Sequence, residues 1–91
     1  METKEFIQHL RDKTNLEFQE VESSNIYLQA YHEHLGKLFL IFRSKQYQPR
    51  LIYAYKVNPI CYKAFLEASS KGRFFNENIR EYQVDKYQIS I

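Results

Sequence analysis

Five residues near the carboxyl end of the chain suit the binding of an anion. Lys71, Arg73 and Arg80 flank Gly72 and Asn76. An Asn at the start of a helix caps it, and free backbone N–H groups at that point attract negative charge. Guanidinium groups carry paired donors that match a phosphate or a carboxylate. We interpret residues 71–80 as the best candidate ligand site; the alternative is that Asn76 only caps a helix and the cations are solvated.

Two tyrosines suit the stacking of unpaired bases. Tyr53 and Tyr55 are two residues apart in a strand-forming segment, so their rings share one face of the predicted sheet. Lys56 follows them and would hold a phosphate. Exposed rings stack on bases with roughly 1–3 kcal/mol per base. The alternative, which is the more common state of tyrosine, is that both rings pack beneath a helix.

The chain lacks the residue patterns of catalytic and metal sites. It has no Gly-x-Ser-x-Gly motif and no Gly-rich phosphate loop. His32 and His34 would share a strand face, but Glu33 would point away and a structural metal needs three or four ligands. Cys61 lies near the start of a predicted helix, where a thiol can be acidified, although a small buried cysteine is the commoner case. We predict a non-enzymatic protein without metal or cofactor.

The composition is typical of one small globular domain. The chain has 91 residues, of which 44% are apolar and 26% charged. Its eight Tyr and seven Phe exceed the needs of a small core, so some Tyr should reach the surface. A single cysteine excludes an intrachain disulfide, and no apolar run suits a membrane-spanning helix. Residues 1–5 lack signal-peptide features, so we expect a cytoplasmic protein with no membrane contact.

Charge is unevenly distributed along the chain. Residues 1–22 hold six acidic and three basic side chains, whereas residues 23–91 hold five acidic and ten basic ones. A basic body attracts phosphate groups. The alternative is a solvated surface with chance asymmetry.

The amino-terminal half is predicted to form one helix and three strands. Phe6, Ile7 and Leu10 make an apolar stripe, which predicts a helix over residues 3–13 that is capped by Thr3 and docks on the rest of the chain or on a partner. Residues 15–22 are interpreted as a connector or a short strand. Apolar alternation over 26–31, 38–42 and 51–57 predicts an antiparallel meander, with turns near Gly36 and at 45–50. The middle segment is apolar on both faces and should be the central strand.

The carboxyl-terminal half is predicted to cover that sheet. Asn58 and Pro59 suit a helix start, and a helix over 60–70 would end at a left-handed Gly72. Residues 73–82 should form a short helical turn capped by Asn76, and the tail at 87–91 alternates as an edge strand would. We therefore predict an α+β fold with an N-terminal helix, a three-stranded antiparallel sheet, and a C-terminal helix plus helical turn on one sheet face. Residues 1–14 form a helical extension and residues 15–91 a single domain.

Three segments of the chain form a distinctive set: Val21-Glu22-Ser23-Ser24-Asn25-Ile26, Tyr53-Ala54-Tyr55, and Ala68-Ser69-Ser70-Lys71-Gly72-Arg73-Phe74-Phe75-Asn76-Glu77-Asn78-Ile79-Arg80. In order and spacing they resemble the KTSC domain, the module found at the C-terminus of some lysyl-tRNA synthetases. The resemblance covers residues 21–82, and its closing segment is the most specific. Two features depart from the family pattern: Asn58 separates Val57 from Pro59, and the turn at 45–50 is longer.

The resemblance implies RNA binding, because the domain is attached to a tRNA-charging enzyme. Our first hypothesis is therefore an RNA or single-stranded nucleic-acid module that uses Tyr53, Tyr55, Lys56, Lys71, Gly72, Arg73, Asn76 and Arg80. The family also occurs as free-standing bacterial and phage proteins. The free-standing length, the acidic N-terminal extension and the surplus of Tyr lead to the second hypothesis, a phage-encoded inhibitor of a host defence system, such as an anti-CRISPR protein. Such an inhibitor would bind a host protein or ribonucleoprotein. The third hypothesis is a nucleotide-signal pocket near residues 72–80.

Overall fold

The computed structural model of the chain describes residues 2–43 and 51–89. Its elements in chain order are α1 (Thr3–Thr14), β1 (Gln19–Glu20), β2 (Ile26–His32), β3 (Lys37–Phe42), β4 (Leu51–Lys56), α2 (Pro59–Glu67), α3 (Lys71–Asn78) and β5 (Val84–Gln88). None of the described helices is long and apolar enough to cross a membrane.

The α+β class is confirmed, but the sheet has five strands and not the three that were predicted. All strands are antiparallel and follow the order β1-β2-β3-β4-β5, so β3 is the central strand, as expected. The two added strands lie at the edges. Both residues of β1 are exposed, as are four of the five residues of β5. They are held by backbone pairing such as Gln19 with Gln29 and Ile52 with Tyr87. The strand β1 lies within the segment 15–22 interpreted as a connector or a short strand, and β5 begins three residues before the tail at 87–91 that was interpreted as a possible edge strand.

Helices cover both faces of the sheet. On one face, Phe6 and Leu10 of α1 pack against sheet residues that include Leu28, Phe39 and Ile52. The two helices α2 and α3 cover the other face, where they contribute Phe65, Phe75 and Ile79 to a second apolar cluster. The sheet residues of this second cluster are Ile26, Leu38, Leu40 and Tyr55. The two predicted C-terminal helical segments thus share a face.

The start of α2 is as predicted, but α3 is not. The side chain of Asn58 accepts a hydrogen bond from the Cys61 N–H at 2.8 Å, and Pro59 is the first residue of α2. By contrast, α3 begins at Lys71, and its cap is Ser70, whose Oγ accepts from the Arg73 N–H at 3.3 Å. The prediction that Asn76 caps this helix is wrong, because that residue lies inside its last turn.

Gly72 does not end a helix in the left-handed conformation. It is the second residue of α3, and among the described glycines only Gly36, in the turn before β3, has a positive φ, of 63°. Thr3 is not a cap either. It is the first residue of α1, and its hydroxyl bonds to the Tyr27 hydroxyl at 2.7 Å. The predicted long turn at 45–50 lies outside the described residues.

Candidate functional site

A polar cleft, here called the α3 cleft, separates the start of α3 from the turn that precedes β2. Its volume is about 550 Å³. One wall is formed by residues 22–25, including Ser23, Ser24 and Asn25, and the other by residues 69–73 together with Asn76 and Glu77. Four of the residues predicted as a ligand site therefore line one cleft: Lys71, Gly72, Arg73 and Asn76.

The absence of a side chain at Gly72 allows the two walls to meet. A Cβ atom at this position would lie 3.2 Å from Ser23 Oγ and 3.7 Å from Asn25 Nδ2. The Ser23 hydroxyl is held in place, because it accepts hydrogen bonds from the N–H groups of Asn25 and Ile26, each at 3.1 Å. An alanine at position 72 would push the Ser23 hydroxyl back by a few tenths of an ångström.

The cleft carries hydrogen-bonding groups that the protein itself leaves available. Within residues 2–43 and 51–89, no hydrogen bond engages the side-chain amides of Asn25 and Asn76. Each amide offers two donors and one acceptor oxygen. The hydroxyl of Ser24 also lines the cleft and is exposed. These groups are typical of a site that binds a polar or charged ligand.

The charges of the cleft are partly compensated. The Lys71 ammonium donates to the Ala68 carbonyl at 3.3 Å, and Arg73 Nε lies 3.1 Å from a carboxylate oxygen of Glu77. Glu22 also lines the cleft. An excess of positive charge therefore has to come from side chains around the cleft, and Arg43 lines the hollow next to it.

An adjoining hollow of about 280 Å³ extends the α3 cleft toward aromatic rings. The hollow shares Asn25, Gly72 and Asn76 with the cleft and adds Phe42, Arg43 and Phe75. The Arg43 guanidinium is braced, because its Nε donates to the Ser23 carbonyl at 2.7 Å and its centre lies 5.1 Å from the Tyr27 ring. A cation and two aromatic rings thus lie next to the polar cleft.

The two tyrosines do not form an exposed platform. Tyr55 is only 6% exposed and packs edge-on against Phe75, with 5.1 Å between the ring centres. Burial raises the pKa of the Tyr55 hydroxyl, the nearby Tyr53 hydroxyl raises it further, and the positive charge of Arg80 opposes the shift. Tyr53 is partly exposed, contacts Phe42 edge-on at 5.1 Å and has the Lys86 ammonium 5.6 Å from its ring centre. One ring, and not two, is available to a ligand.

The remaining predicted site residues, Arg80 and Lys56, do not line the α3 cleft. Arg73 lies in α3, whereas Arg80 lies beyond the end of that helix, and both are exposed. Lys56 is distant from the cleft, since it lines a separate hollow with Gly36, Asn58 and neighbouring residues. The structure therefore brings together Lys71, Gly72, Arg73 and Asn76, and it separates Lys56 from them.

Five residues of the candidate site were not predicted from the sequence: Ser23, Ser24, Asn25, Arg43 and Lys86. The first three lie in a segment that carries the family resemblance, so that resemblance offered a signal for them. Nothing local in the sequence marks Arg43 or Lys86, because their positions depend on the pairing of distant strands.

In the described residues, the geometry supports neither a metal site at His32 and His34 nor a reactive thiol at Cys61. His32 Nδ1 accepts a hydrogen bond from the Leu35 N–H at 3.1 Å. Across the part of the chain that the structure describes, no group of three His, Cys, Asp or Glu side chains suits a metal ion. Burial raises the pKa of the Cys61 thiol, which is the opposite of the acidification that a reactive cysteine requires.

Comparison with known proteins places this geometry in a family. The family model for the KTSC domain matches residues 22–82, which include the α3 cleft. A crystal structure of a KTSC domain protein from Yersinia pestis is similar to the chain, with a TM-score of 0.66 and 29% sequence identity over 82% of this chain and 99% of that one. No curated protein matches the chain significantly. The chain therefore belongs to the KTSC domain family.

Proposed function

We propose that this protein binds RNA, single-stranded or structured, through the α3 cleft and the aromatic hollow beside it. One observation carries the proposal: a polar cleft with two unbonded side-chain amides continues into a hollow bordered by Arg43, Phe42 and Phe75. Nucleic acid offers complementary groups, because a charged phosphate lies next to a flat base. The attachment of KTSC domains to some lysyl-tRNA synthetases gives the proposal a context in RNA chemistry.

A phosphate group would occupy the α3 cleft. Lys71 and Arg73 supply the charge, and the amides of Asn25 and Asn76 donate to phosphate oxygens. Binding has to release Arg73 from Glu77. Both side chains of this ion pair are more than half exposed. Breaking an exposed pair costs only about 0.2–1 kcal/mol, so the release is a small penalty.

A single base would stack beside the cleft. The accessible ring is that of Tyr53, with Lys86 above it and Phe42 at its edge. One stacked base contributes roughly 1–3 kcal/mol. Because Tyr55 is buried, we expect weak binding that depends strongly on phosphate contacts, and little preference for sequence.

Fluorescence anisotropy with a labelled single-stranded RNA tests the proposal. The logarithm of the binding constant should fall with the logarithm of salt concentration by about 0.7 for each phosphate contacted. The Arg73→Gln/Arg80→Gln double variant should weaken binding and flatten the salt dependence. Lys63→Gln, an exposed change on α2, is the matched control and should have no effect.

A second variant should change the affinity for RNA in the opposite direction. Glu77→Gln removes the carboxylate that pairs with Arg73, so it should strengthen RNA binding by roughly twofold to fivefold, the equivalent of an exposed ion pair. Glu67→Gln, at the end of α2, is its control. Absence of RNA binding at low salt, or equal binding by wild type and the double arginine variant, would refute the proposal.

A nucleotide is the second candidate ligand, because the α3 cleft has the volume of a small-molecule site. Thermal-shift measurements with mononucleotides and cyclic dinucleotides distinguish it from RNA. Stabilisation by a nucleotide, without binding of the oligonucleotide, would favour this alternative.

A protein partner, as for a phage inhibitor of a host defence system, is the third candidate. The apolar residues Ile60 and Leu66 of α2 are 83% and 40% exposed, which suits a contact surface. The N-terminal helix offers only its polar side to a partner, since Phe6 and Leu10 are buried in the fold. Loss of target inhibition in Ile60→Ser, with RNA binding absent, would favour this alternative.

A further inference from the structure

A second cavity, here called the α1 cavity, lies on the opposite face of the sheet from the α3 cleft. Its volume is about 510 Å³, in the range of small-molecule sites. Leu10 of α1, Phe39 of β3 and Ile52 of β4 line it, and all three belong to the apolar cluster of this face. The deepest part of the cavity is therefore apolar.

Apolar side chains at the mouth of the α1 cavity remain in contact with water. Leu35 is 52% exposed and Tyr87 is 47% exposed, and both line the cavity. Ile89 packs at the edge of the same apolar cluster. An apolar ligand entering here would remove this surface from water, which favours binding.

Apart from Tyr87, the titratable residues that line the cavity are all basic. They are His9, Lys13 and His32, and no acidic side chain is among the described lining residues. His9 and Lys13 are four residues apart and therefore lie on the same side of α1. Because His32 Nδ1 accepts from the Leu35 N–H, the proton of its neutral ring is on Nε2, which is a donor. The rim thus suits a negatively charged group.

We propose that the α1 cavity binds a fatty acid of medium chain length. The acyl chain lies against Leu10, Phe39 and Ile52, and the carboxylate meets Lys13 and His32. Neither an apolar floor nor a basic rim alone would select this ligand. Their combination selects against neutral alkanes and against cationic amphiphiles. The proposal is independent of RNA binding, because the two sites are on opposite faces of the sheet.

Isothermal titration with decanoate, 1-decanol and decylammonium, each below its micelle concentration, tests the proposal. Decanoate should bind saturably with one molecule per chain. Decylammonium has the same chain but a positive head group, so it should bind at least about tenfold more weakly, because like charges repel across an interface. Decanol should fall between the two.

Two variants locate the site. Leu35→Glu places a carboxylate at the mouth and should abolish detectable decanoate binding, whereas Leu66→Glu on α2 introduces the same change on the other face and should not. Lys13→Gln should weaken binding roughly twofold to fivefold, which is the effect of one exposed charge pair. Lys4→Gln, on the same helix but outside the cavity lining, is its control.

Several results would overturn the proposal. They are the absence of saturable decanoate binding, equal binding of decanoate and decylammonium, and unchanged binding in Leu35→Glu when circular dichroism shows that this variant is folded. RNA binding measured with and without decanoate tests whether the two sites are independent. It should not change, whatever the outcome of the fatty-acid titration.

Discussion

Replacing Tyr62 by Phe tests whether a partly buried chain of hydrogen bonds connects α2 to the sheet. The Tyr62 hydroxyl donates to Gln29 Oε1 at 2.9 Å, and Gln29 Nε2 donates to Gln19 Oε1 at 3.3 Å. Gln29 is only 4% exposed. The Tyr62 ring also stacks on Tyr31 with 4.1 Å between the ring centres, and this contact survives the change to Phe.

The expected loss of unfolding free energy is about 1–2 kcal/mol. A net hydrogen bond contributes about 0.5–1.5 kcal/mol, and a buried acceptor that is left without a donor costs roughly 1–3 kcal/mol. The upper end does not apply, because Gln29 and Tyr62 both line a polar hollow that admits water. Replacing Gln29 by Met in the same variant removes the unpaired oxygen and should recover part of the loss.

Urea unfolding followed by circular dichroism measures the effect. In a domain of this size, a loss of 1 kcal/mol lowers the melting temperature by roughly 4–8 °C. Tyr82→Phe is the matched control, since Tyr82 is 44% exposed and should tolerate the change. Equal stabilities of Tyr62→Phe and Tyr82→Phe would refute the reasoning.

Three further changes have defined outcomes. Asn58→Ala removes the cap on the Cys61 N–H and should cost about 1 kcal/mol of unfolding free energy in urea titrations; an unchanged midpoint would contradict the cap. Gly72→Ala should lower the melting temperature by several degrees, because the alanine methyl carbon would lie 3.2 Å from Ser23 Oγ. This contact strains two hydrogen bonds of about 1 kcal/mol each, which outweighs the higher helix propensity of alanine. A higher melting temperature would show that the turn at Ser23 moves aside without loss of stability. Burial raises the pKa values of Tyr31, Tyr55 and Tyr62 above the ordinary 10.0. Above pH 10.0 the folded chain therefore keeps protons that the unfolded chain has lost, so the free energy of unfolding should fall as pH rises. A urea midpoint that stays constant above pH 10.0 would contradict this prediction.

The central strands could be predicted from the sequence because their side chains face apolar clusters on both sides. Leu38 and Leu40 belong to one cluster and Phe39 and Ile41 to the other, which produces an uninterrupted apolar run. The edge strand β5 has a weaker pattern, since most of its residues are exposed, and alternation in the tail at 87–91 indicated it only in part. Its pairing depends on backbone groups that every residue carries, so its bounds follow only from the assembled sheet.

The lining of the α3 cleft could be predicted in part, for a similar reason. Lys71 to Asn76 are close in sequence, and their clustering is visible there. The role of Gly72 is not, because it depends on contact with Ser23, far away in the chain. The burial of Tyr55 likewise depends on Phe75 folding back over the sheet. Local spacing indicated a shared face for the two tyrosines, but it did not determine what covers that face.

Nuclear magnetic resonance mapping of the RNA-bound protein tests the central claim most directly. Titration of a short single-stranded RNA into isotope-labelled protein should shift the backbone amides of residues 23–25 and 71–76, while those of α1 remain unchanged. Shifts confined to α1 and the opposite sheet face, or no shifts at low salt, would contradict an RNA site in the α3 cleft.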